Sequence, residues 1–325
     1  MIVMVRYAMI DDDWSGPVRF PRRLTSVVIS SVLVALAAPG AASATAESST
    51  IWHWNVAGNT LNHASTTNGM VRAAVSSITA RGASFASFNE LCENQYDALI
   101  SGLRDAGWPA DDANFARFVV TYPARSGGPC GGRDFGNAIF SRQPLGAAER
   151  ITLPDDGMTE QRKMLCAPLK ARPHLRFCTA HLTYVDAYRA AQLNAVLARL
   201  EAYHADGDTV VIAGDFNIQA DAARLNGYYS SAVNTPNNRG NTGHYHELDD
   251  ADQNNCPGYG ELSVSTPDPR GPCGTGSKID MIFVREDRIA GPYSGDTLAP
   301  PTSCAGNPDG LCSDHRALIG TVTLS

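Results

Sequence analysis

The chain contains 325 residues, eight of them cysteines, and has a formal net charge of −7 at pH 7. The acidic balance gives no broad basic footprint, so a protein that coats or stores nucleic acid is not expected. Chemistry on phosphate esters stays compatible with this charge, because a bound metal ion can supply local positive charge.

Residues 1–44 have the features of a secretory signal. The segment Leu24 to Ala38 is nearly all apolar and follows a basic stretch that ends at Arg23. It is shorter than the ~20 residues of a membrane-spanning helix, and the small residues from Ala42 to Ala46 fit a cleavage site. We expect residues 1–44 to be removed and residues 45–325 to form one domain. The mature protein is expected to be a secreted monomer without a membrane span.

The cysteines are even in number, and export leads to an oxidising environment, so disulfides are expected. Cys166 and Cys178 flank a turn centred near residue 172, which would place them opposite each other on a hairpin. The remaining pairs follow from short loops and then by elimination. They are Cys304 with Cys312, Cys256 with Cys273, and Cys92 with Cys130.

The first half of the chain predicts short strands and two helices. Apolar residues from Met70 to Ile78 recur at helical spacing, and a second helix from Tyr96 to Leu103 would end at Gly107. Apolar runs of strand length account for most of the remainder. The predicted strands are Ile51–Asn55, Ser84–Asn89, Phe115–Tyr122, Asn137–Ser141, Met164–Lys170 and Leu175–Leu182.

In the second half, Asp186 is predicted to cap a helix that leads into the strand Thr209–Ala213. Residues 226–277 are rich in Asn, Gly and Pro and predict a long loop, whose acidic stretch would be a solvated turn or a structural calcium site. Ile279–Val284 and Leu318–Leu324 predict the last strands. This order favours two packed sheets flanked by helices or one mixed sheet, and the spacing alone does not separate them.

Polar side chains stand where the apolar strands end. Several such groups at strand exits can converge on one rim, and their oxygen atoms suit a hard cation such as Mg²⁺ or Ca²⁺. The residues in these positions are Asn55, Glu90, His181, Asp215, Asn217, Asp280, Asp314 and His315.

Seven motifs, six of which contain these residues, resemble those of the endonuclease/exonuclease/phosphatase superfamily, in the same order. The resemblance covers almost the whole mature chain, whereas a single such motif would be weak. It implies an α/β fold of the deoxyribonuclease-I-like type, a four-layer sandwich of two packed mixed β-sheets flanked by helices. The motifs are Trp54-Asn55, Phe88-Asn89-Glu90, Gly136 to Arg142, Thr179 to Leu182, Gly214-Asp215-Phe216-Asn217, Lys278-Ile279-Asp280 and Ser313-Asp314-His315.

The resemblance also implies a metal site. Glu90 corresponds to the principal metal ligand of the family, and Asn55 and Asp314 would lie beside the ion. Mg²⁺ is the expected cofactor, with Mn²⁺ or Ca²⁺ as alternatives.

Five further residues match the catalytic positions of the family. Asp215 and Asn217 would orient the attacking water and the phosphate. His315 would act at the phosphate with Asp280 fixing its tautomer, and His181 would donate to the phosphate or the leaving group. The residues alone leave other roles open, because His181 could be a core histidine and Asp280 a strand cap.

Three more residues are candidates for contact with the substrate. Arg162 could donate two hydrogen bonds to phosphate, although an arginine in a loop is often solvated. Tyr122 and Asn137 stand near strand ends and could belong either to the site or to the core.

The family resemblance does not fix the substrate. Secreted deoxyribonucleases of the pancreatic type carry arginines that engage DNA at two positions where this chain has Ala57 and Cys92. The same mode of DNA binding is therefore not expected here. We expect a secreted nuclease or general phosphodiesterase first. A sphingomyelin or phospholipid phosphodiesterase is second, since Tyr228 and Tyr229 could form an exposed membrane-facing hairpin. A phosphomonoesterase and a non-catalytic binding protein follow.

Overall fold

The computed structural model describes residues 47–251, 256–264, 277–299 and 301–325. The predicted signal, residues 1–44, lies outside these residues. The described chain forms two six-stranded mixed sheets packed face to face, which confirms the predicted sandwich and excludes the single mixed sheet. No helix in the described ranges is long and apolar enough to cross a membrane.

The strands and helices have the following bounds. The strands are β1 (Glu47–Asn55), β2 (Phe85–Cys92), β3 (Ala116–Tyr122), β4 (Phe135–Ser141), β5 (Glu149–Thr152), β6 (Lys163–Pro168), β7 (Leu175–His181), β8 (Thr209–Asp215), β9 (Tyr245–Glu247), β10 (Asp280–Arg285), β11 (Ile289–Leu298) and β12 (Ala317–Leu324). The helices are α1 (Met70–Ala80), α2 (Glu93–Asp105) and α3 (Asp186–Ala205).

The two sheets have related arrangements. The first has the strand order β11-β12-β1-β2-β4-β3 and the second β5-β6-β7-β8-β10-β9. Each contains one parallel pair near its centre, β1 with β2 and β7 with β8. Helices α1 and α2 pack on the outer face of the first sheet and α3 on the outer face of the second, which completes the four layers.

Alternation along the strands decides which side chains enter the layer between the sheets. On β1, Trp52 and Trp54 point outward and pack with the helices. Ile51 lies in the apolar cluster between the sheets, so its alternate neighbours His53 and Asn55 face the same layer. The change from apolar to polar residues along this inner row therefore decides where the layer between the sheets is apolar and where it is polar.

Most predicted elements are confirmed, with three differences. Asp186 is the first residue of α3 and the cap position belongs to Val185; the Asp186 carboxylate pairs with Arg224 instead. The predicted long loop 226–277 contains strand β9, which pairs with β10. The sheet-edge strands β5 and β11 were not predicted, because neither shows a clear alternation of apolar and polar residues.

Three of the four predicted disulfides are confirmed, namely Cys92–Cys130, Cys166–Cys178 and Cys304–Cys312. Cys166 and Cys178 are direct partners in the β6–β7 register, as the predicted hairpin required. The fourth predicted pair, Cys256 with Cys273, is not tested because Cys273 lies outside the described residues.

Candidate active site

The site forms where the inner rows of the central strands change from apolar to polar. On β8 the row runs from Val211 through Ala213 to Asp215, and on β7 it ends at His181. Strand register brings these ends together, because Asp215 is the partner of His181 on one side and of Asp280 on the other. Polar groups from neighbouring strands therefore meet at one rim.

Glu90 reaches the rim through an irregularity in β2. The pairing of β2 with β4 shifts register between Phe88 and Leu91, and Glu90 has a left-handed φ of 56°. Such a conformation is uncommon outside glycine and marks a local bulge that redirects a side chain. Gly58 packs against this peptide, since a Cβ atom there would lie 2.4 Å from the Glu90 carbonyl oxygen. Glu90 thereby lines the cleft between the sheets.

Asn55 connects the carboxylates of the two sheets. Its amide nitrogen donates to Glu90 Oε1 at 3.2 Å and to Asp215 Oδ2 at 3.1 Å. Its oxygen accepts from the backbone N–H of Ala57 at 3.2 Å. Asn55 lies beside Glu90 and turns its nitrogen toward the carboxylates, so its amide would have to rotate for its oxygen to bind the predicted metal ion.

His315 and Asp280 form a buried ion pair. The Nδ1–H of His315 donates to Asp280 Oδ2 at 2.7 Å, and its Nε2 lies 3.8 Å from Asp215 Oδ2. Burial opposes the charged imidazole, but the Asp280 carboxylate outweighs it and raises the pKa of His315 to about 10. Burial likewise opposes the charge on Asp280, yet His315 holds the pKa of that carboxyl below its usual range. His315 is therefore a cation at neutral pH.

Asp215 lies in a different electrostatic environment. Burial and the nearby Asp280 carboxylate raise the pKa of Asp215 to about 7. Its backbone N–H donates to the Asn89 side-chain oxygen at 2.8 Å, and its Oδ1 accepts from the Asn217 N–H at 2.8 Å. A carboxylate with a pKa near neutrality is suited to accept a proton during turnover.

His181 is surrounded by hydrogen-bond donors. Nη1 of Arg162 lies 2.9 Å from Nδ1 of His181, and Nδ2 of Asn217 lies 3.1 Å from Nε2. A neutral imidazole has only one acceptor nitrogen, so both contacts cannot be hydrogen bonds at once. Burial and the Arg162 charge keep the pKa of His181 well below its usual value. The neutral ring carries one N–H, and Oδ2 of Asp215 lies 3.5 Å from Nε2 as an acceptor within the site.

Arg162 is buried, at 5% exposure, which excludes the alternative of a solvated loop arginine. Glu160 and Asp156 flank its guanidinium at 3.4 and 3.7 Å. Its observed contact is with the imidazole of His181, which was not anticipated.

A cleft of about 430 Å³ opens above these groups. Its lining includes Glu90, Tyr122, Arg162, His181, Asp215, Asn217 and His315 from the predicted set, together with Asn59, Thr60, Pro129, Phe135, Glu160 and Tyr184. Asn55 and Asp280 are fully buried beneath the lining residues to which they bond. Tyr122 carries the Arg125 guanidinium over its ring at 4.5 Å.

Two predicted site residues are placed differently from the rest. Asn137 is 1% exposed, does not line the cleft, and accepts from Asn89 Nδ2 at 3.0 Å. The structure therefore places Asn137 in the core beside Asn89, and its contact with substrate stays a prediction. Asp314 has an exposed side chain outside the cleft lining, and its charge raises the pKa values of both Glu90 and His315.

The donor set fits a divalent cation. Burial raises the pKa of Glu90, and the Asn55 amide is the hydrogen-bond partner that opposes this rise. No lysine or arginine in the described ranges forms an ion pair with Glu90. In addition, ligand-type atoms of Asp215, Asp280 and His315 lie within 4.8 Å of one another, although His315 would have to lose a proton to bind a metal ion. Carboxylates gathered without a neutralising lysine or arginine are suited to Mg²⁺ or Mn²⁺.

Comparison with known proteins agrees with this geometry. Residues 52–315 match the model of the Endonuclease/Exonuclease/phosphatase family. This match spans most of the chain, and the chain belongs to that family of phosphoester hydrolases. No match was found among curated proteins.

Several solved structures share the fold. An endonuclease/exonuclease/phosphatase from Beutenbergia cavernae has 18% identity and a TM-score of 0.55, covering 86% of this chain and 72% of its own. The human Nocturnin catalytic domain with bound sulfate has 14% identity and a TM-score of 0.59, covering 86% and 97%. Truncated Caenorhabditis elegans TDP2 has 13% identity and a TM-score of 0.54, covering 85% and 98%. At these identities the likeness concerns the fold alone.

Proposed function

We propose that this chain is a secreted, divalent-metal-dependent phosphodiesterase that cleaves nucleic acid outside the cell. The observation that carries the proposal is the composition of one cleft. Carboxylates suited to a cation, Glu90 and Asp215, lie beside a surplus of N–H donors around His181. Hydrolysis of a phosphodiester requires both, because its anionic oxygens must be neutralised while water is activated.

The metal-binding part of the rim is centred on Glu90. In this proposal Glu90 would hold the cation, with Asn55 and Asp314 beside it. Asn55 already bonds to the Glu90 carboxylate, and the Asp314 charge already raises the pKa of Glu90. The bound cation would supply positive charge that neutralises the phosphoryl oxygens.

The remaining rim residues act on the water and the phosphate. Asp215 accepts the proton of the attacking water. Asn217 and His181 donate to phosphoryl oxygens. The charged His315, oriented by Asp280, stabilises the negative charge that develops during the reaction.

Asp215 and Asn217 can act together because the segment that follows β8 places both at the rim. The Asn217 backbone N–H binds Asp215 Oδ1, and the Asn217 side chain donates to the Leu182 carbonyl at 2.9 Å. These bonds fix the amide close to Nε2 of His181 before a substrate arrives. A preformed arrangement of donors reduces the reorganisation that the reaction requires.

Secretion is the second element of the proposal. It rests on the apolar segment that follows the basic residues of the leader and on the three disulfides, which persist in oxidising compartments.

Tyr184 favours nucleic acid over lipid as the substrate. It lines the cleft and is 55% exposed, so its ring offers an open surface for stacking of a base next to the cleaved phosphate. Met158 and Tyr188 are also exposed, but a membrane-binding surface needs a larger apolar face with basic flanks. Tyr228 and Tyr229, the predicted membrane-facing pair, are buried in the core, so that support for a lipid substrate is lost.

The proposal is tested by hydrolysis of plasmid DNA, RNA, sphingomyelin and bis-p-nitrophenyl phosphate with Mg²⁺, Mn²⁺, Ca²⁺ or chelator. We expect metal-dependent cleavage of nucleic acid. Tyr184→Ala should raise KM for nucleic acid by roughly 5- to 10-fold through lost stacking and leave the small ester unaffected, with Tyr188→Ala as the control. Release of phosphocholine alone would favour the lipid substrate, and inactivity on all substrates would contradict the proposal.

A further inference from the structure

His53 is a buried histidine in the middle of β1 that has no role in the mechanism described above. Its side chain is fully buried, and both ring nitrogens have partners. Nδ1 lies 2.8 Å from the Ser87 hydroxyl, and Nε2 lies 3.3 Å from Asp280 Oδ1. The side chain therefore connects the first sheet to a rim residue of the second sheet.

The strand register explains how these groups meet. His53 and Ser87 are direct partners in the parallel β1–β2 pair, and both face the layer between the sheets. Asp280 enters the same layer from β10 in the opposite sheet. A polar ring in this buried layer is costly unless its nitrogens are satisfied, which Ser87 and Asp280 together achieve.

The contacts determine the direction of each hydrogen bond. Asp280 as a carboxylate can only accept, so Nε2 of His53 carries the proton and donates to Oδ1. In this tautomer Nδ1 is the acceptor for the Ser87 hydroxyl. Asp280 Oδ2 accepts from His315, so each oxygen of this carboxylate is bound by a different imidazole.

A carboxylate held at both oxygens cannot rotate freely about its side-chain bond. If the bond from His53 were absent, Asp280 could turn, and its contact with Nδ1 of His315 would lose its fixed direction. Groups that orient a catalytic or metal-binding histidine through its carboxylate partner have large effects on activity for this reason.

We propose that His53 is a positioning residue that holds the Asp280 carboxylate in the orientation that serves His315. The row Ser87, His53, Asp280 and His315 acts as one unit across the two sheets. This inference rests on the proposed function of the same rim and extends it by a residue that does not touch the substrate.

Three substitutions at position 53 separate positioning from packing. His53→Gln places an amide N–H near the position of Nε2, so it retains the bond to Asp280. His53→Asn places its amide near Nδ1, too short to reach Asp280, and His53→Leu has no donor. We expect kcat to fall roughly 10- to 100-fold in the Leu and Asn variants with KM nearly unchanged, and the Gln variant to recover most of the loss.

A second test uses the dependence of His53 on Asp280. In an Asp280→Asn background, His53→Leu should cause little further loss of kcat, because residues that act as a unit are not additive. Equal kcat in the Gln and Asn variants, or the full separate loss in the double variant, would overturn the proposal. If His53→Leu fails to fold, as judged by thermal unfolding, the Gln and Asn pair decides.

A readout without turnover separates this proposal from the proposed function. The proton on Nδ1 of His315 should give a downfield imidazole NMR signal when it is hydrogen-bonded to Asp280. We expect this signal to persist in the wild type and in His53→Gln and to shift or broaden in His53→Asn and His53→Leu. An inactive wild type that shows this pattern would refute the proposed function alone, whereas an identical signal in all four proteins would refute the positioning role.

Discussion

The two ends of the layer between the sheets have opposite character. At one end the inward-facing side chains form a single apolar cluster, in which the rings of Phe85 and Phe177 lie 4.9 Å apart. At the other end the same strands present amides, carboxylates and imidazoles. The first set includes Ile51, Phe85, Phe177, Val211 and Val284, and the second Asn55, Asn89, His181, Asp215 and Asp280.

The difference shows that the same strands contribute to stability at one end and to chemistry at the other. Burial of apolar side chains stabilises the sandwich at the first end. At the second end burial raises the pKa of Asp215, which is unfavourable for folding above neutral pH but suits proton transfer. Substitutions at the polar end should therefore change activity most, and substitutions at the apolar end should change stability most.

The largest expected effect is at the polar end. His315→Ala removes the charged imidazole and should lower kcat by roughly 10³-fold or more. The free energy of unfolding should also fall, because Asp280 loses its partner in a buried ion pair, so kcat is compared per folded molecule. His174→Ala is a matched control, because His174 has a side chain exposed to 73% and lies outside the cleft. A His315→Ala variant with substantial activity would contradict the assignment.

The next effect is at the apolar end. Phe177→Ala should lower the free energy of unfolding by about 3–5 kcal/mol through lost burial and a cavity. The kcat per folded molecule should stay within about twofold of the wild type, since the truncation lies below the rim. Urea unfolding and active-site-normalised kinetics measure the two quantities. A large loss of kcat with little change in stability would contradict the claim that the apolar end serves stability and the polar end serves activity.

Removal of the Cys166–Cys178 disulfide should have a somewhat smaller effect on stability. The bridge joins partners separated by 12 residues, and a loop of this length corresponds to about 3 kcal/mol in the chain-entropy model. The double variant Cys166→Ala, Cys178→Ala should unfold at lower urea concentration and keep its kcat. An unchanged urea midpoint would show that the hairpin does not depend on the bridge.

The smallest change in stability comes from Asp215→Asn, and the direction of that change is the informative part. The pKa of Asp215 is raised from 3.8 to about 7 in the folded protein. Its contribution to stability is therefore complete below about pH 4 and is lost as the pH rises through 7. In chelator at pH 8, Asp215→Asn should be more stable than the wild type by roughly 1–3 kcal/mol, and it should be inactive.

Urea unfolding in chelator at pH 4 and pH 8 measures this difference. The two proteins should be closer in stability at pH 4, where Asp215 is protonated in the folded state and largely so in the unfolded one. Asp280→Asn provides the contrast, because His315 holds the pKa of Asp280 below its usual range, so that variant should be less stable at pH 8. A destabilised Asp215→Asn at pH 8 would contradict the assignment of a raised pKa.

The sequence predicted the main rim residues for a clear reason, whereas the sandwich followed only from the family resemblance. Polar residues that follow apolar strands, such as Asp215 after β8 and His181 at the end of β7, mark the edge of a buried layer. The order of the motifs then supplied the family.

Long-range pairing could not be predicted in the same way. His53 stands between two tryptophans in an apolar strand, and its partners Ser87 and Asp280 are 34 and 227 residues away. The left-handed conformation of Glu90 depends on the bulge against β4, which has no local sequence signal.

The acidic stretch near β9 is a further case of long-range pairing that could not be predicted. Glu247 and Asp249 were expected in a solvated turn or a calcium site, but both are buried and paired with Lys278 at 3.2 and 2.8 Å. The sequence could not show that a lysine 29 residues beyond Asp249 neutralises them. The sequence therefore located the rim but not the buried pairs that support it.

The most direct test of the account is the Mg²⁺ dependence of hydrolysis of bis-p-nitrophenyl phosphate by the mature wild type and by Glu90→Gln. The account predicts a saturable requirement for Mg²⁺, abolished by chelator, with Glu90→Gln needing roughly 10- to 100-fold more metal or losing activity. Hydrolysis that persists in chelator, or the same Mg²⁺ dependence in both proteins, would contradict it.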